Sequence, residues 1–215
     1  MNQVAYVSTY IPQKCGLATY THHLRESVNK AKRWKRPDPV IVVTDESNRA
    51  AFPDSFLWPL KKSDRKAYRQ MAVSVNNSKV SVVSLQHEFG IFGGEAGSYI
   101  LDFVQELEKP LITTFHTVFQ KPNEPYRAIQ QEIADRSDRI IVMNRKAIEY
   151  LRGSYHIPAE RIVFIPHGTP VPDSGMRSVF RQRLKWSGRK VILTFGLLSR
   201  GKGIEMILDV LPEVV

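Results

Sequence analysis

Short apolar runs alternate with longer amphipathic stretches along most of the chain. The runs are rich in Val, Ile and Thr, which is typical of strands buried on both faces of a parallel sheet. They predict strands over residues 3–9, 39–45, 55–60, 79–86, 110–116, 138–144, 161–168 and 190–196. The stretches between them predict helices over residues 17–31, 64–75, 97–107, 126–135, a segment ending near 152, 175–186 and from 203 onward.

This alternation predicts the α/β class, with βαβ units that build a parallel sheet carrying helices on both faces. Ligands of such sheets bind beyond the carboxyl ends of the strands, so residues that follow a strand are the candidates for chemistry. Residues 166–175 are rich in Pro and Gly, which is typical of an interdomain linker. We expect one domain over residues 1–172, a linker and basic helix over 173–189, and the first β–α unit of a truncated second domain over 190–215.

Composition narrows the class of protein. The chain has 215 residues, 42% of them hydrophobic, which is enough for one sizeable core and too many for a disordered chain. The single cysteine, Cys15, excludes an intrachain disulfide. The amino terminus lacks the pattern of a signal peptide, and no apolar run reaches the roughly 18 residues of a membrane span. We expect a cytoplasmic protein.

The net charge of +10 is concentrated in three clusters, residues 29–37, 61–69 and 177–190. One interpretation is an anionic partner, such as lipid headgroups, nucleic acid or a phosphorylated substrate. The other is that the clusters are solvated helix faces and loops. For any single cluster the second interpretation is favoured, and for the three together the first.

The segment YIPQKCGLATY leads from the first strand into the first helix. Gly16 would let a ligand approach the backbone closely, and the amino end of a helix favours an anion such as phosphate. A plain tight turn explains the segment equally well. It lacks the G-x-G-x-x-G fingerprint, which disfavours a dinucleotide-dependent dehydrogenase.

Two further segments follow predicted strands. In SLQHEFGIFGGEAGS, His87, Glu88 and Gly90 come directly after a strand, and further glycines would loosen the backbone before a helix. A mobile loop with an exposed Glu88 is the alternative. In TTFHTV, His116 follows an apolar strand and could donate to a sugar hydroxyl or exchange a proton near neutral pH. Three histidines at strand ends, His87, His116 and His167, favour a functional role over three structural ones.

The segment FGLLSRGKG would place Arg200 and Lys202 between a strand and a helix. Cations and free backbone N–H groups at the amino end of a helix make a site for a diphosphate, and Gly203 keeps the backbone accessible. No Asp-x-Asp pair is present to hold a metal with a diphosphate, so we predict no metal cofactor. The sequence also lacks H-E-x-x-H, C-x-x-C and G-x-S-x-G, the signatures of several hydrolase and metal sites.

The order of these motifs resembles that of the retaining glycosyltransferases of family 4, whose GT-B fold has two Rossmann-like domains. The resemblance spans essentially the whole chain. The segments that carry it are PQKCGLATYTHHL, VSLQHEFGIFGG, TTFHT, RIVFIPHGTPV and TFGLLSRGKGIEMILDVL. In the last of these, Gly196, Leu198, Lys202 and Gly203 match the family pattern, whereas Leu197 replaces its usual arginine.

The resemblance implies sugar transfer from a nucleotide-sugar donor to a sugar or lipid-linked acceptor, with retention of configuration. It implies that His116 contacts the donor sugar near the reacting carbon. Gly16, Arg200, Lys202 and Gly203 would bind the donor diphosphate, and His87, Glu88 and Gly90 would shape the acceptor side. The fragment itself should be inactive, because most of the donor site is missing from it.

A different class of protein stays open as the alternative: a non-catalytic basic α/β module that binds anionic membrane or nucleic acid. For the glycosyltransferase we expect possible peripheral association with anionic membrane and no nucleic-acid partner. Two titrations distinguish the classes. Binding of nucleotides or sugars indicates the glycosyltransferase, and salt-dependent binding to a polyanion indicates the basic module.

Overall fold

The computed structural model describes residues 3–33, 37–45, 55–169, 175–196 and 202–214. The chain divides into two compact units, Met1–His167 and Gly168–Val215, and each is described by itself. The domain boundaries expected above stay a prediction.

Strands and helices alternate through the first unit. The strands are β1 (Gln3–Ser8), β2 (Val40–Thr44), β3 (Leu57–Lys61), β4 (Val80–His87), β5 (Leu111–Phe115), β6 (Arg139–Val142) and β7 (Ile162–Phe164). The helices are α1 (Gly16–Lys32), α2 (Arg65–Asn76), α3 (Ile100–Glu106), α4 (Tyr126–Arg136) and α5 (Arg145–Ser154). Short 3₁₀ turns cover Phe89–Ile91, Glu95–Gly97 and Ala159–Arg161.

The seven strands form one parallel sheet in the order β3-β2-β1-β4-β5-β6-β7. The strand order reverses at β1, which pairs with β2 on one side and with β4 on the other. A reversal of this kind leaves a crevice at the carboxyl ends of the central strands. The α1 amino end and the segments after β4 and β5 therefore meet at the edge where ligands of such sheets bind.

Both faces of the sheet are covered, as predicted. Ala5 and Val7 point into the larger core together with buried residues of α2, α3, α4 and α5. Tyr6, on the opposite face of β1, packs with Val40, Val42 and, from α1, Leu24. The period of two along each strand sends alternate side chains to the two cores.

Local side chains fix where several helices begin. Sγ of Cys15 accepts a hydrogen bond from the Ala18 backbone N–H at the start of α1. Asp64 and Asn144 do the same for α2 and α5 through their side-chain oxygens. Such capping satisfies backbone donors that the first turn of a helix leaves without a partner.

The unit Gly168–Val215 contains helices α6 (Met176–Arg183) and α7 (Ile204–Val214). The strand predicted over residues 190–196 is wrong. Those residues are described without strand structure, and Phe195 is 87% exposed. A strand needs a neighbour for its backbone hydrogen bonds, and none of the described residues pairs with this segment. No helix in the described ranges combines the length and the apolarity needed to cross a membrane.

Candidate active site

His116 lies directly beyond β5 and is held by the neighbouring strand. Its backbone N–H donates to the His87 carbonyl at 3.1 Å. Its ring Nε2 lies 3.0 Å from Oε1 of Gln86, whose own amide N–H donates to Ser84 Oγ at 3.0 Å. Because Gln86 Oε1 only accepts, the imidazole proton sits on Nε2, which leaves Nδ1 of His116 as a hydrogen-bond acceptor.

The ring of Tyr20 contacts two imidazoles, those of His116 and His167. Tyr20 of α1 lies edge-on to His116 with ring centroids 5.0 Å apart, and edge-on to His167 with centroids 5.1 Å apart. Burial, with His167 as a further cause, lowers the pKa of His116 to about 4. His116 is therefore uncharged at neutral pH, and it cannot serve there as a cationic acid.

His87 lies in the interior of the protein. It is fully buried, its ring contacts Phe89, Phe92 and Phe115, and neither ring nitrogen has a hydrogen-bond partner among the described residues. Burial, and then His116, lowers the pKa of His87 to about 3. The prediction that His87 helps to shape the acceptor side stays a prediction, and its buried side chain could do so only through the residues that it contacts. His87 lies on the sheet face of Val83 and Leu85, which enter the larger core, while His116 lies on the other face with Gln86.

Glu88 is partly buried and fully engaged. One carboxylate oxygen accepts from the Phe89 backbone N–H at 3.0 Å, and the other accepts from Thr117 Oγ1 at 2.7 Å. The carboxylate thereby joins the segment after β4 to the segment after β5. It is not the exposed side chain of a mobile loop.

The glycines between Gly90 and Gly97 pack closely, and they do not loosen the backbone. A Cβ at Gly93 would lie 2.0 Å from the Lys62 carbonyl oxygen, and one at Gly97 would lie 2.5 Å from the Phe89 carbonyl oxygen. Gly94 and Gly97 also have φ of 80°, where other residues are strained. Of the four glycines in this loop, only Gly90 has open space around an added Cβ. The helix predicted from 97 accordingly begins at Ile100, after a 3₁₀ turn.

A buried tyrosine fixes one wall of this loop. The Tyr68 hydroxyl donates to the Lys62 carbonyl at 3.1 Å and accepts from the Gly93 backbone N–H at 3.0 Å. Burial is the largest cause that raises the pKa of Tyr68 to about 12. Lys62 Nζ donates to the Gly90 carbonyl at 3.0 Å. Beside the loop is a cavity of about 320 Å³, and aromatic side chains, Lys62 and loop glycines line it.

Gly16 presents a different surface. It begins α1 immediately after Cys15, whose Sγ lies 3.1 Å from Thr9 Oγ1. Gly16 is exposed, and a Cβ built on it would have no atom within 4 Å. Nothing inside the chain therefore requires a glycine here, and the role of Gly16 in binding a ligand stays a prediction.

The residues predicted to bind the diphosphate from the second unit are only partly described. Arg200 lies outside the described residues. Lys202 is exposed just before α7, and Gly203 has φ of 63°. Both therefore lie at the amino end of an 11-residue helix. Their role in binding stays a prediction.

The basic clusters differ in how their charges are used. In the second cluster, Arg65 binds Asp102 through two hydrogen bonds of 2.7 and 3.0 Å, and Arg69 binds Glu106 at 2.6 Å. Both pairs join α2 to α3, which is a structural use of these cations. In the first cluster, Lys32 pairs with buried Asp38 at 3.3 Å, and residues 34–36 are not described. Membrane association stays a prediction.

Sequence reasoning missed Gln86, Tyr20 and Tyr68. Gln86 carried a usable signal, since a long polar side chain inside an apolar strand needs a partner when it is buried. The sequence pattern indicates only that Tyr20 and Tyr68 are apolar positions of helices. Their contacts with residues far away in the sequence become visible only in the structure. Within the described ranges no group of three His, Cys, Asp or Glu residues could hold a metal ion.

Comparison with known proteins decides the family. The sequence model of Glycosyltransferase Family 4 matches residues 16–171. The chain belongs to Glycosyltransferase Family 4. No curated protein matches it significantly. The matched range contains the strand-edge cluster of His116, Gln86, Tyr20 and His167 and the whole Gly-rich loop, so the candidate site lies within the family's own region.

Solved structures share the fold of this family 4 chain. HepE from Anabaena, solved in complex with UDP and glucose, is 13% identical, with a TM-score of 0.69 over 99% of this chain and 58% of its own. HepE in complex with UDP is also 13% identical, with a TM-score of 0.66 over 98% of this chain and 57% of its own. A glycosyltransferase from Rickettsia africae is 13% identical, with a TM-score of 0.64 over 99% of this chain and 57% of its own. The chain thus spans less than two thirds of these proteins. The similarity establishes the Rossmann-like, GT-B type of fold.

Proposed function

We propose that the intact protein transfers a sugar from a nucleotide-sugar donor to an acceptor, with retention of configuration at the transferred carbon. The observation that carries this is His116, an uncharged imidazole held at the carboxyl edge of the sheet by buried Gln86. Family membership supports the reaction class, and HepE, of the same fold, has been solved with UDP and glucose. These 215 residues alone should be inactive.

In this proposal His116 recognises the donor sugar as a hydrogen-bond acceptor. Its Nε2–H donates a hydrogen bond to Gln86, so Nδ1 has a free lone pair that can accept from a sugar hydroxyl. Tyr20 packs on the ring edge and limits its rotation. A fixed polar group aimed at the reacting sugar lowers the barrier because no reorganisation is needed as charge develops.

The donor phosphates would be bound by backbone groups and cations. Gly16 at the start of α1 offers an uncovered backbone beside a helix amino end, which attracts anions. In the second unit Lys202 and Gly203, with Arg200, are proposed to bind the diphosphate. Protein cations would then neutralise the leaving group, and no metal ion is required in this scheme.

The acceptor is proposed to occupy the cavity beside Gly90. Glu88, which accepts a hydrogen bond from Thr117, is proposed to shape the acceptor side. His87 packs from inside the core against Phe89 and Phe92, which line the cavity. Aromatic rings and Lys62 line the cavity, which suits a saccharide that carries an acidic or lipid-linked group. The acceptor class, saccharide or lipid-linked, is separated by assaying both kinds with the full-length protein.

The first test is a screen of nucleotide-sugars with the full-length protein, followed by His116→Ala. We expect the transfer rate to fall by at least about 10²-fold, since removing one polar group aimed at developing charge costs about 2.7–4 kcal/mol. His23→Ala is the matched control, because His23 is exposed on α1. Turnover near the wild-type rate in His116→Ala, with folding intact, would refute the role of His116.

Two further readings complete the test. Proton NMR of the first product formed should show the anomeric configuration of the donor, and an inverted product would refute retention. Transfer should continue in a strong chelator, and its loss, restored by a divalent cation, would refute the metal-free scheme.

A further inference from the structure

A second cavity, of about 240 Å³, lies along the flank of α1, on the sheet face opposite to α2 and α3. Side chains of α1, together with Tyr10 and Pro37, line it: His22, Arg25, Glu26, Asn29 and Lys30. At about 30 Å³ for each water of the liquid, it has room for about eight water molecules, or for one small ligand. The proposed transfer reaction does not use it.

Two buried polar atoms without partners belong to residues that line this cavity. The described residues contain five such side-chain atoms, and two belong to His87. The other three are Tyr6 Oη, Arg25 Nη2 and Asn29 Oδ1. Arg25 and Asn29 line the cavity, whereas Tyr6 is not among the residues that line it. A buried polar group left unpaired is costly, so two of them at one cavity indicate a missing partner.

Arg25 is the most informative of the three. It is only 7% exposed, and its Nε and Nη1 donate to the Asp38 carbonyl at 2.6 Å and to Tyr10 Oη at 3.1 Å. The Asp38 carboxylate is taken by the Val4 N–H at 3.0 Å and by Lys32 Nζ at 3.3 Å. Among the described residues Arg25 therefore donates to no carboxylate, although a buried guanidinium is stable only with good compensation.

The remaining contacts hold the guanidinium in place. Tyr10 Oη lies 2.9 Å from His22 Nδ1, and since it accepts from Arg25 it has its own proton to donate to that nitrogen. The proton of His22 is then on Nε2, which lies 3.8 Å from a Glu26 carboxylate oxygen. The hydrogen bonds that join Arg25 to Tyr10 and Tyr10 to His22 fix the position of the Arg25 Nη2 group, which has no partner among the described residues. A preorganised binding site requires such a fixed position.

We infer that this cavity is a binding site for a small oxyanion that also carries hydroxyl groups, such as a monosaccharide phosphate. The oxyanion compensates the charge of Arg25 and accepts from its Nη2, and Lys30 at the rim adds a second cation. A hydroxyl of the same ligand donates to Asn29 Oδ1. Glu26 and Lys30 are exposed, and exposed side chains change rotamer within nanoseconds, so they can admit the ligand.

The test uses the 215-residue chain and three probes in calorimetric titrations: glucose 6-phosphate, inorganic phosphate and glucose. We expect the tightest binding for glucose 6-phosphate, weaker binding for phosphate and none for glucose. Binding of glucose as tight as that of glucose 6-phosphate would overturn the anion assignment. Binding of none of the three would overturn the site.

Variants then locate the binding. Asn29→Asp keeps the side-chain shape and adds a negative charge, so affinity for glucose 6-phosphate should fall by about tenfold or more, because like charges in contact repel strongly. Lys30→Gln, on an exposed side chain that leaves the core untouched, should weaken it by a smaller factor. Gln70→Glu on α2 adds the same charge on the opposite face and should change nothing. Circular dichroism melting checks that each variant folds.

Two results would contradict the location. Unchanged affinity in both Asn29→Asp and Lys30→Gln places the ligand elsewhere. Loss of binding in His116→Ala assigns it to the site at the carboxyl edge of the sheet. Because no step depends on sugar transfer, these results are independent of the proposed function.

Discussion

Two glycine-containing loops at the same edge of the sheet differ in whether the fold requires their glycines. Between Gly93 and Gly97 an added Cβ would collide with backbone or side chains at 2.0–2.6 Å, so glycine is needed for packing. At Gly16 an added Cβ would meet nothing within 4 Å, so the chain itself does not need a glycine there. Space around a Cβ thus separates the glycines that the packing of the chain requires from one that it does not require.

The largest effect should come from the packed loop. Gly93→Ala places a Cβ 2.0 Å from the Lys62 carbonyl oxygen. We expect a loss of about 3 kcal/mol or more in the free energy of unfolding, at the upper end of overpacking costs. Urea denaturation measures it. Gly90→Ala in the same loop is the control, since its Cβ has open space, and equal losses in the two variants would contradict the packing argument.

The next effect concerns the histidine under that loop. The pKa of His87 is about 3 when folded and near 6.5 when unfolded, so the unfolded chain binds the extra proton. Stability is complete above about pH 6.5 and is lost as pH falls from there towards 3, at up to about 1.4 kcal/mol per pH unit.

His87→Phe should flatten this dependence, leaving the smaller contribution of His116, whose pKa is lowered to about 4. His23→Phe, at an exposed site, should leave it unchanged. Unfolding curves collected between pH 7 and pH 4 measure the slope. A slope in His87→Phe equal to that of the wild type would show that His87 is not the group that titrates.

The open loop should respond in function and not in stability. Gly16→Ala should leave stability equal or raise it by about 0.4–1 kcal/mol. Donor affinity of the full-length protein should fall about tenfold, which corresponds to about 1.4 kcal/mol. Gly153→Ala in α5, where a Cβ also has open space, is the matched control. Equal donor affinity in wild type and Gly16→Ala would remove Gly16 from the proposed phosphate site.

The smallest effect is expected on the surface that flanks the packed loop. Arg65 is 67% exposed in its pair with Asp102. Pairs of this kind are screened by solvent and salt, so Arg65→Ala should change the melting temperature little, and not at all in 1 M salt. A large loss that salt does not remove would show that the α2–α3 contact supports the loop more than its packing does.

The sequence was sufficient for most of the fold. Apolar runs predict all seven strands of the first unit. For strands such as β2, in which every residue is buried, the reason is that burial on both faces leaves little freedom in composition. The strand over 190–196 was wrong because an apolar run says nothing about a pairing partner. The four-glycine loop was misread because Lys62 and Tyr99, which its glycines pack against, lie outside it in sequence.

The histidines show what alternation along a strand can add. His87 continues the face of Val83 and Leu85, which enter the core, whereas Gln86 and His116 share the other face. That alternation was readable in the sequence and separates a core histidine from a site histidine. The tautomer of His116 was not readable, because it depends on a strand thirty residues earlier.

The strand order also governs the kinetics of folding. The central pairing joins Val4 to Val82, so the middle of the sheet cannot close until β2, β3 and α2 have been made. Pairings of such large sequence separation slow folding relative to helical proteins of equal length. We expect refolding limited by the β1–β4 step, so that Val83→Ala slows refolding more than Ile140→Ala does in stopped-flow experiments. A nascent chain that has just completed β1 can pair one edge of that strand with β2, but the other edge stays unpaired while about seventy further residues are added. This is the interval in which a chaperone would matter most.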